Sequence, residues 1–387
     1  MKFAKRMETF HSSVFTELKE RKKEYTLRTG KETIDLSIGS PKIFPDSSIM
    51  DVMKDAVLDA ENYRYAINEL DSLKEAIQAW YKNRYAVELE PDEIICLQGS
   101  QEALCNLPML LCDPNDLVLI PDPHYPIFED GPHLAGADVI YMPMKEENDY
   151  LIQLSEIDEE IAKQAKMMIV SYPNNPTCAT APDSFYKELI SFAKKYQILV
   201  VHDNAYSELV FDGQIGKSFL SFPGAKEIGV EVNSFSKTYG MAGARLGVCV
   251  GNKEVIEQFR ILKSNMDYGI FLPVQYAGIE ALTHGGSSIE ATRNMYQEHR
   301  DILVSGLKEA GWNVPSSPAT MFVWAKIPDS YTDSKAFVLD VLEKTGVIFT
   351  PGQSFGKSGE RYVRMALVQD GPVLKEACLR IKEANLF

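Results

Sequence analysis

The sequence predicts an α/β protein, a mainly parallel β-sheet covered by helices and joined to a smaller α+β unit. Three observations predict it. Between Ile94 and Val250 short apolar runs alternate with helical stretches, the pattern of a sheet buried on both faces. From about Ile289 the pattern changes to one long polar helix followed by short strands. The 387 residues, 45% of them hydrophobic, are enough for a large core and for more than one unit.

Taken in order, DVMKDAVLDA from Asp51 has the period of an amphipathic helix, and SLKEAIQAWYKNRYAV repeats it after the polar stretch NYRYAINELD. Strand-like DEIICLQGS, DLVLIPD, DVIYMPM, KMMIVSYPNNP, ILVVHDN, EIGVEVNSFSK and RLGVCVGN follow, with helical EALCNLPMLLC and SFYKELISFAKKY between them. Beyond the helix IEATRNMYQEHRDILVSGLKEAG, the segments TMFVWAKI, VIFTPG and YVRMALV read as strands of the smaller unit. The first forty or so residues, ending in IDLSIGSPKIFPD, are expected to fold back onto it. No repeat, low-complexity run or Gly/Ser linker interrupts the chain, so any boundary falls between packed elements.

A net charge of −15 and a pI near 5.0 argue against nucleic acid and anionic membranes, since no segregated basic patch offsets the repulsion. The opening MKFAKRMETFHSS lacks the apolar core of a signal peptide, and no run has the length of a membrane helix, which predicts a cytoplasmic location. The six cysteines form no C-x-x-C pair and read as reduced core thiols. His11, His124, His133, His202, His284 and His299 show no metal-ligand spacing and read as ordinary histidines; no metal site is expected.

Ligands of parallel sheets sit beyond the carboxyl ends of the strands, and here those ends carry polar tails. In LQGSQEAL, Gly99 and Ser100 precede a helix, either as an anion site or as a plain cap. Tyr125 in DPHYP is placed to stack on a flat ligand or to fill the core. Asn174 and Asn175 in SYPNNPT are either turn formers or fixed amide donors. Asp203 ends a buried strand, where a carboxylate is costly unless a cation meets it, and Tyr206 follows three residues later. In SFSKTYGMAGARLGV, Ser234, Ser236 and Arg245 suit a phosphate. Lys237 among them, desolvated near cations, would have a depressed pKa and act as nucleophile and base.

Together these segments resemble the class I/II aminotransferases of the aspartate aminotransferase fold, which bind pyridoxal phosphate. LSIGSP, GSQEAL, DPHYP, SYPNNPT, HDNAYSELVFDG, SFSKTYGMAGARLG and YVRMAL occur in consistent order over nearly the whole chain. Within that family the LL-diaminopimelate aminotransferase branch is most similar, through AYSELVFDG, SKTYGMAG and KSNMDYGIFLPVQYAGIEAL.

The resemblance implies fold type I: a large domain with a mainly parallel seven-stranded sheet, residues 47–285, and a small α+β domain, 286–387. Residues 1–46 would pack on the small domain. It implies that Lys237 holds the cofactor covalently and shuttles a proton, that Asp203 pairs with the pyridinium nitrogen, and that Tyr206 and Asn175 hydrogen-bond the ring oxygen. Ser100, Gln101, Ser234, Ser236 and Arg245 would hold the phosphate, and Tyr125 would stack on the ring. Arg364, helped by the Gly39 backbone, would grip the substrate α-carboxylate. A homodimer is implied too, with Tyr63 or Tyr65 reaching the neighbour's phosphate and Tyr63 preferred. The implied reaction is ping-pong transfer from an L-amino acid (LL-diaminopimelate, aspartate or alanine) to a 2-oxo acid such as 2-oxoglutarate. A β-eliminating C–S lyase uses nearly the same residues, and a cofactor-sensing regulator is the remote alternative. Cys178 stands where the family has glycine, so a positive φ there would strain it.

Overall fold

The computed structural model describes residues 1–10 and 14–387, so His11 lies outside the described residues. Twelve strands are described in chain order. They are β1 (Ile34–Asp35), β2 (Ile94–Leu97), β3 (Leu117–Asp122), β4 (Asp138–Pro143), β5 (Ala165–Ser171), β6 (Leu199–Asp203), β7 (Gly229–Ser234), β8 (Gly247–Gly251), β9 (Phe322–Lys326), β10 (Val347–Ile348), β11 (Thr350–Pro351) and β12 (Tyr362–Ala366). Seven of them build the large sheet in the order β2-β8-β7-β6-β5-β3-β4. All run the same way except β8, which is antiparallel to both β2 and β7.

Except at the edge strand β4, the sheet is buried on both faces, which is why its strands read as nearly unbroken apolar runs. Met167, Ile169 and Val201 point into a core built with the helices Gln101–Leu111, Ile127–Ala135 and Lys253–Ser264. Met168, Val170 and Val200 point the other way, against Asp71–Tyr85, Asp183–Tyr196 and Leu272–His284. The alternation is the two-residue period of a strand, with helices receiving both halves of it.

A third core belongs to the smaller unit, an antiparallel β11-β12-β9 sheet with the helices Gly286–Glu309, Ser334–Thr345 and Gly371–Glu383. Of the stretch 1–46 expected on this unit, β1 pairs in parallel with β10, and the helix Val14–Thr29 is tied to Ser334–Thr345 by the Lys335–Glu17 and Arg28–Glu343 ion pairs. Arg6 instead donates to the Leu134 carbonyl at 3.0 Å, against the large sheet's helices. Hydrogen bonds from Ser358 Oγ to the Asp122 carboxylate (2.7 Å) and from the His124 N–H to the Phe355 carbonyl (2.7 Å) join the small unit to the end of β3. No described helix is long and apolar enough to cross a membrane.

Candidate active site

Because β2, β3, β5, β6 and β7 run the same way, the residues following them gather at one edge of the sheet. The reversed β8 contributes there from the residues before its start, which is how Arg245 joins them. A cavity of about 510 Å³ opens at this edge, and every residue expected to bind cofactor or substrate lines it except Tyr63 and its alternative, Tyr65.

One end of the cavity is built for an anion. Gly99 holds φ at +83°, and a Cβ there would lie 2.1 Å from Arg245 Nη2, so glycine is what lets the guanidinium close over the turn. Arg245 donates to the carbonyls of Ala242 (3.0 Å) and Gln98 (3.4 Å) and meets no carboxylate among the described residues. The backbone N–H groups of Ser100 and Gln101, at the start of an eleven-residue helix, have no described protein partner and add the helix's positive end. Ser234 accepts from the N–H of Ser236 at 3.2 Å, shaping the short turn that carries Lys237.

At the centre, Asp203 is buried and among the described residues accepts only the Ala205 N–H, at 3.2 Å. Burial pushes its carboxyl up to about 6, against a partial opposing effect of that hydrogen bond. Lys237 Nζ donates to the Gly39 carbonyl at 3.1 Å. Desolvation, then the Arg364 and Arg245 charges, lower its amine to about 8. Burial likewise raises the phenols of Tyr206 and Tyr125 above their ordinary value.

At the other end, Arg364 on β12 is buried. It donates to Asn175 Oδ1 at 2.8 Å and to the Ser37 carbonyl at 3.3 Å, while its Nε–H has no partner among the described residues. Gly39 lies under the Phe322 ring, where a Cβ would come within 2.7 Å.

The cavity therefore holds two guanidinium groups, one amine and one carboxylate, and none of them is neutralised by another. For the buried Asp203 and Arg364 this is unfavourable unless a ligand completes the pairs, while Arg245, at the exposed end, keeps its water. The donor set suits pyridoxal phosphate, which would bring a dianionic phosphate to Arg245 and the helix start, a protonated ring nitrogen to Asp203 and an aldehyde to Lys237. Arg364 keeps no counter-charge among the described residues.

Tyr63 is exposed and outside the cavity of its own chain. Its hydroxyl donates to the Val57 carbonyl at 3.0 Å, and its ring packs edge-on against Phe271. Tyr65, also exposed, packs on Tyr268. Cys178 has φ +65°, so the position does require left-handed backbone. Its thiol packs within 3.3 Å of the Phe322 carbonyl and of Thr320 Oγ1, and burial raises it to about 11. The described residues hold no metal-ligating cluster.

Ile38, Pro41, Ala205 and Ala242 lie inside the motifs quoted above, which assigned them no role, and Phe322 on β9 had no sequence signal, because its facing is set by tertiary packing. Leu104 was within reach, being one helical turn beyond Ser100 and Gln101.

Comparison with known proteins agrees with this geometry. Residues 31–381 match the family model "Aminotransferase class I and II". An LL-diaminopimelate aminotransferase of Halothermothrix orenii is 44% identical over 361 residues, 93% of this chain and 92% of the relative. That of Moorella thermoacetica is 41% identical over 99% of this chain and 98% of its own. The apo structure of BacF from Bacillus subtilis superposes with a TM-score of 0.96 at 34% identity, covering 100% and 99% of the two chains. A Thermus thermophilus aspartate aminotransferase variant shares the fold at a TM-score of 0.92, 24% identity and 99% and 100% coverage. The chain belongs to the class I and II aminotransferase family and is a pyridoxal-phosphate-dependent aminotransferase.

Proposed function

We propose that this enzyme transfers the amino group of an L-amino acid to a 2-oxo acid at the described cavity, with Lys237, Asp203 and Tyr206 as its catalytic residues. The observation that carries the reading is the set of charges that leave one another unpaired along one cavity: buried Asp203 and Arg364, half-buried Lys237 and, at the exposed end, Arg245. Bound there, pyridoxal phosphate supplies an electron sink for the substrate's α-carbon.

The chain's own residues do the rest. Arg245, the N–H groups of Ser100 and Gln101, and the Ser234–Ser236 turn hold the phosphate. Asp203 keeps a proton on the ring nitrogen, and Tyr125 covers the ring face. Tyr206 and the Asn175 amide hold the ring oxygen. Arg364, with the Gly39 backbone, fixes the α-carboxylate so that the α-proton faces Lys237. The Lys237 amine, lowered to about 8, is the base that would take the α-proton and hold it for the proton transfer that completes the half-reaction. Water exclusion strengthens each of these charge interactions.

The relatives named LL-diaminopimelate aminotransferase make LL-diaminopimelate the first donor to try, followed by aspartate and alanine, with 2-oxoglutarate as acceptor. A homodimer fits the exposed apolar group of Leu58, Tyr63, Tyr65, Ile67, Tyr268 and Phe271, with Tyr63 entering the neighbour's phosphate site. A cytoplasmic location suits a chain whose described helices are all too short or too polar to cross a membrane.

The test is a donor panel on the purified, cofactor-loaded protein. The expected result is a change in visible absorbance with one or more donors alone, and glutamate formation once 2-oxoglutarate is added. Pyruvate from cystathionine or cysteine without any acceptor would replace transamination by β-elimination. Native-rate turnover by Lys237→Ala would overturn the assignment.

A further inference from the structure

Arg364 poses a problem that its proposed role does not solve. Arg300 in the same protein is equally buried, 3% exposed, and is held by Asp212 through two bonds of 2.7 and 2.8 Å and by Asp301 at 2.8 Å. Arg364, also 3% exposed, has no carboxylate partner among the described residues and only two carbonyl-type acceptors. A carboxylate beside it would satisfy the charge but would also occupy it before any substrate arrived.

Two aromatic rings take that place. The guanidinium carbon lies 4.1 Å from the centre of the Phe322 ring and 4.5 Å from that of Phe355. Both rings are almost fully buried, so their negative faces act on the cation without competition from water. Phe322 lines the cavity, while Phe355 does not. Phe355 is fixed from behind by Trp324 (centroids 6.0 Å apart), which stacks on Tyr362 at 5.1 Å and 8°. Trp324 is also the cross-strand partner of Arg364.

We propose that Phe355, with Phe322, is a positioning residue for the substrate's α-carboxylate: the rings stabilise and orient the Arg364 guanidinium in place of an acidic partner and leave its charge free for the substrate. The inference rests on Arg364 being the carboxylate-binding group.

The test compares an amino donor with its primary amide on the cofactor-loaded enzyme, measuring kcat/KM for each. Phe355→Leu keeps apolar bulk and removes one π face. It should raise KM for the donor and lower the acid-over-amide preference by about tenfold, the scale of one desolvated cation–π contact, with the visible spectrum unchanged. A merely structural loss would lower both rates together and leave the preference intact. Replacing Phe355 by 3,4,5-trifluorophenylalanine, nearly isosteric but with its ring face depleted of charge, should lower the preference in the same direction. This second variant decides the matter if the leucine variant fails to fold. An unchanged preference in either folded variant overturns the proposal. A native enzyme that does not prefer acid to amide removes instead the reading of Arg364.

Discussion

Replacing Asp203 by asparagine should stabilise the cofactor-free protein while weakening its hold on the cofactor. The buried carboxyl titrates at about 6 rather than the ordinary 3.8 because burial disfavours its charged form. A raised carboxyl pKa means that ionisation costs the folded state. The penalty is absent below 3.8, grows between 3.8 and about 6, and is complete above it. At about 1.4 kcal/mol per pH unit it reaches ~3 kcal/mol at pH 7.5 and is only ~1 kcal/mol at pH 4.5. Asparagine keeps the acceptor for the Ala205 N–H and carries no charge, so it removes the penalty. With an unfolding entropy of about 2 cal/mol/K per residue, the variant should melt about 4 °C higher than the native chain at pH 7.5 and about 1 °C higher at pH 4.5. The assay is thermal unfolding of both cofactor-free proteins across that range, followed by cofactor titration. An advantage that does not change with pH, or a variant less stable at pH 7.5, would refute the reasoning.

The cofactor-free protein should capture pyridoxal phosphate at a rate that rises with pH through about 8, as Lys237 loses its proton. Arg364→Met, which removes a neighbouring cation, should move that midpoint upward; a rate flat from pH 6 to 9 by stopped-flow absorbance would contradict this. Gly99→Ala sets a Cβ 2.1 Å from Arg245 Nη2 at φ +83°, and equilibrium dialysis should show cofactor binding weakened about tenfold, from ~1–2 kcal/mol of strain. Tyr63→Phe should loosen cofactor retention by about tenfold, the loss of one charge-assisted hydrogen bond, while Tyr65→Phe should not. The reverse pattern in a dialysis time course would assign the trans role to Tyr65.

The strands of the large sheet were legible because burial on both faces leaves nearly unbroken apolar runs, and their polar tails marked the end of the sheet where the cavity opens. The direction of β8 was not. RLGVCVGN is as apolar as its neighbours, and the hydrogen-bonding direction of a fully buried strand leaves no trace in composition. That reversal brings Arg245 to the same edge as Lys237. Cys178 is a different case: its departure from glycine was visible, while its φ of +65° and the packing of its thiol emerged from the fold.

The chain by itself determined which charged residues stand out, because Asp203, Lys237, Arg245 and Arg364 each sit in apolar or glycine-rich sequence that does not suit a solvated charge. Only the tertiary structure decided that these charges leave one another unpaired, that Arg364 rests on Phe322 and Phe355, and that Tyr63 points out of its own site. Pairing depends on distances between segments far apart in the chain. Those distances are set by how the helices and the smaller unit pack on the sheet, and no local pattern of residues encodes them.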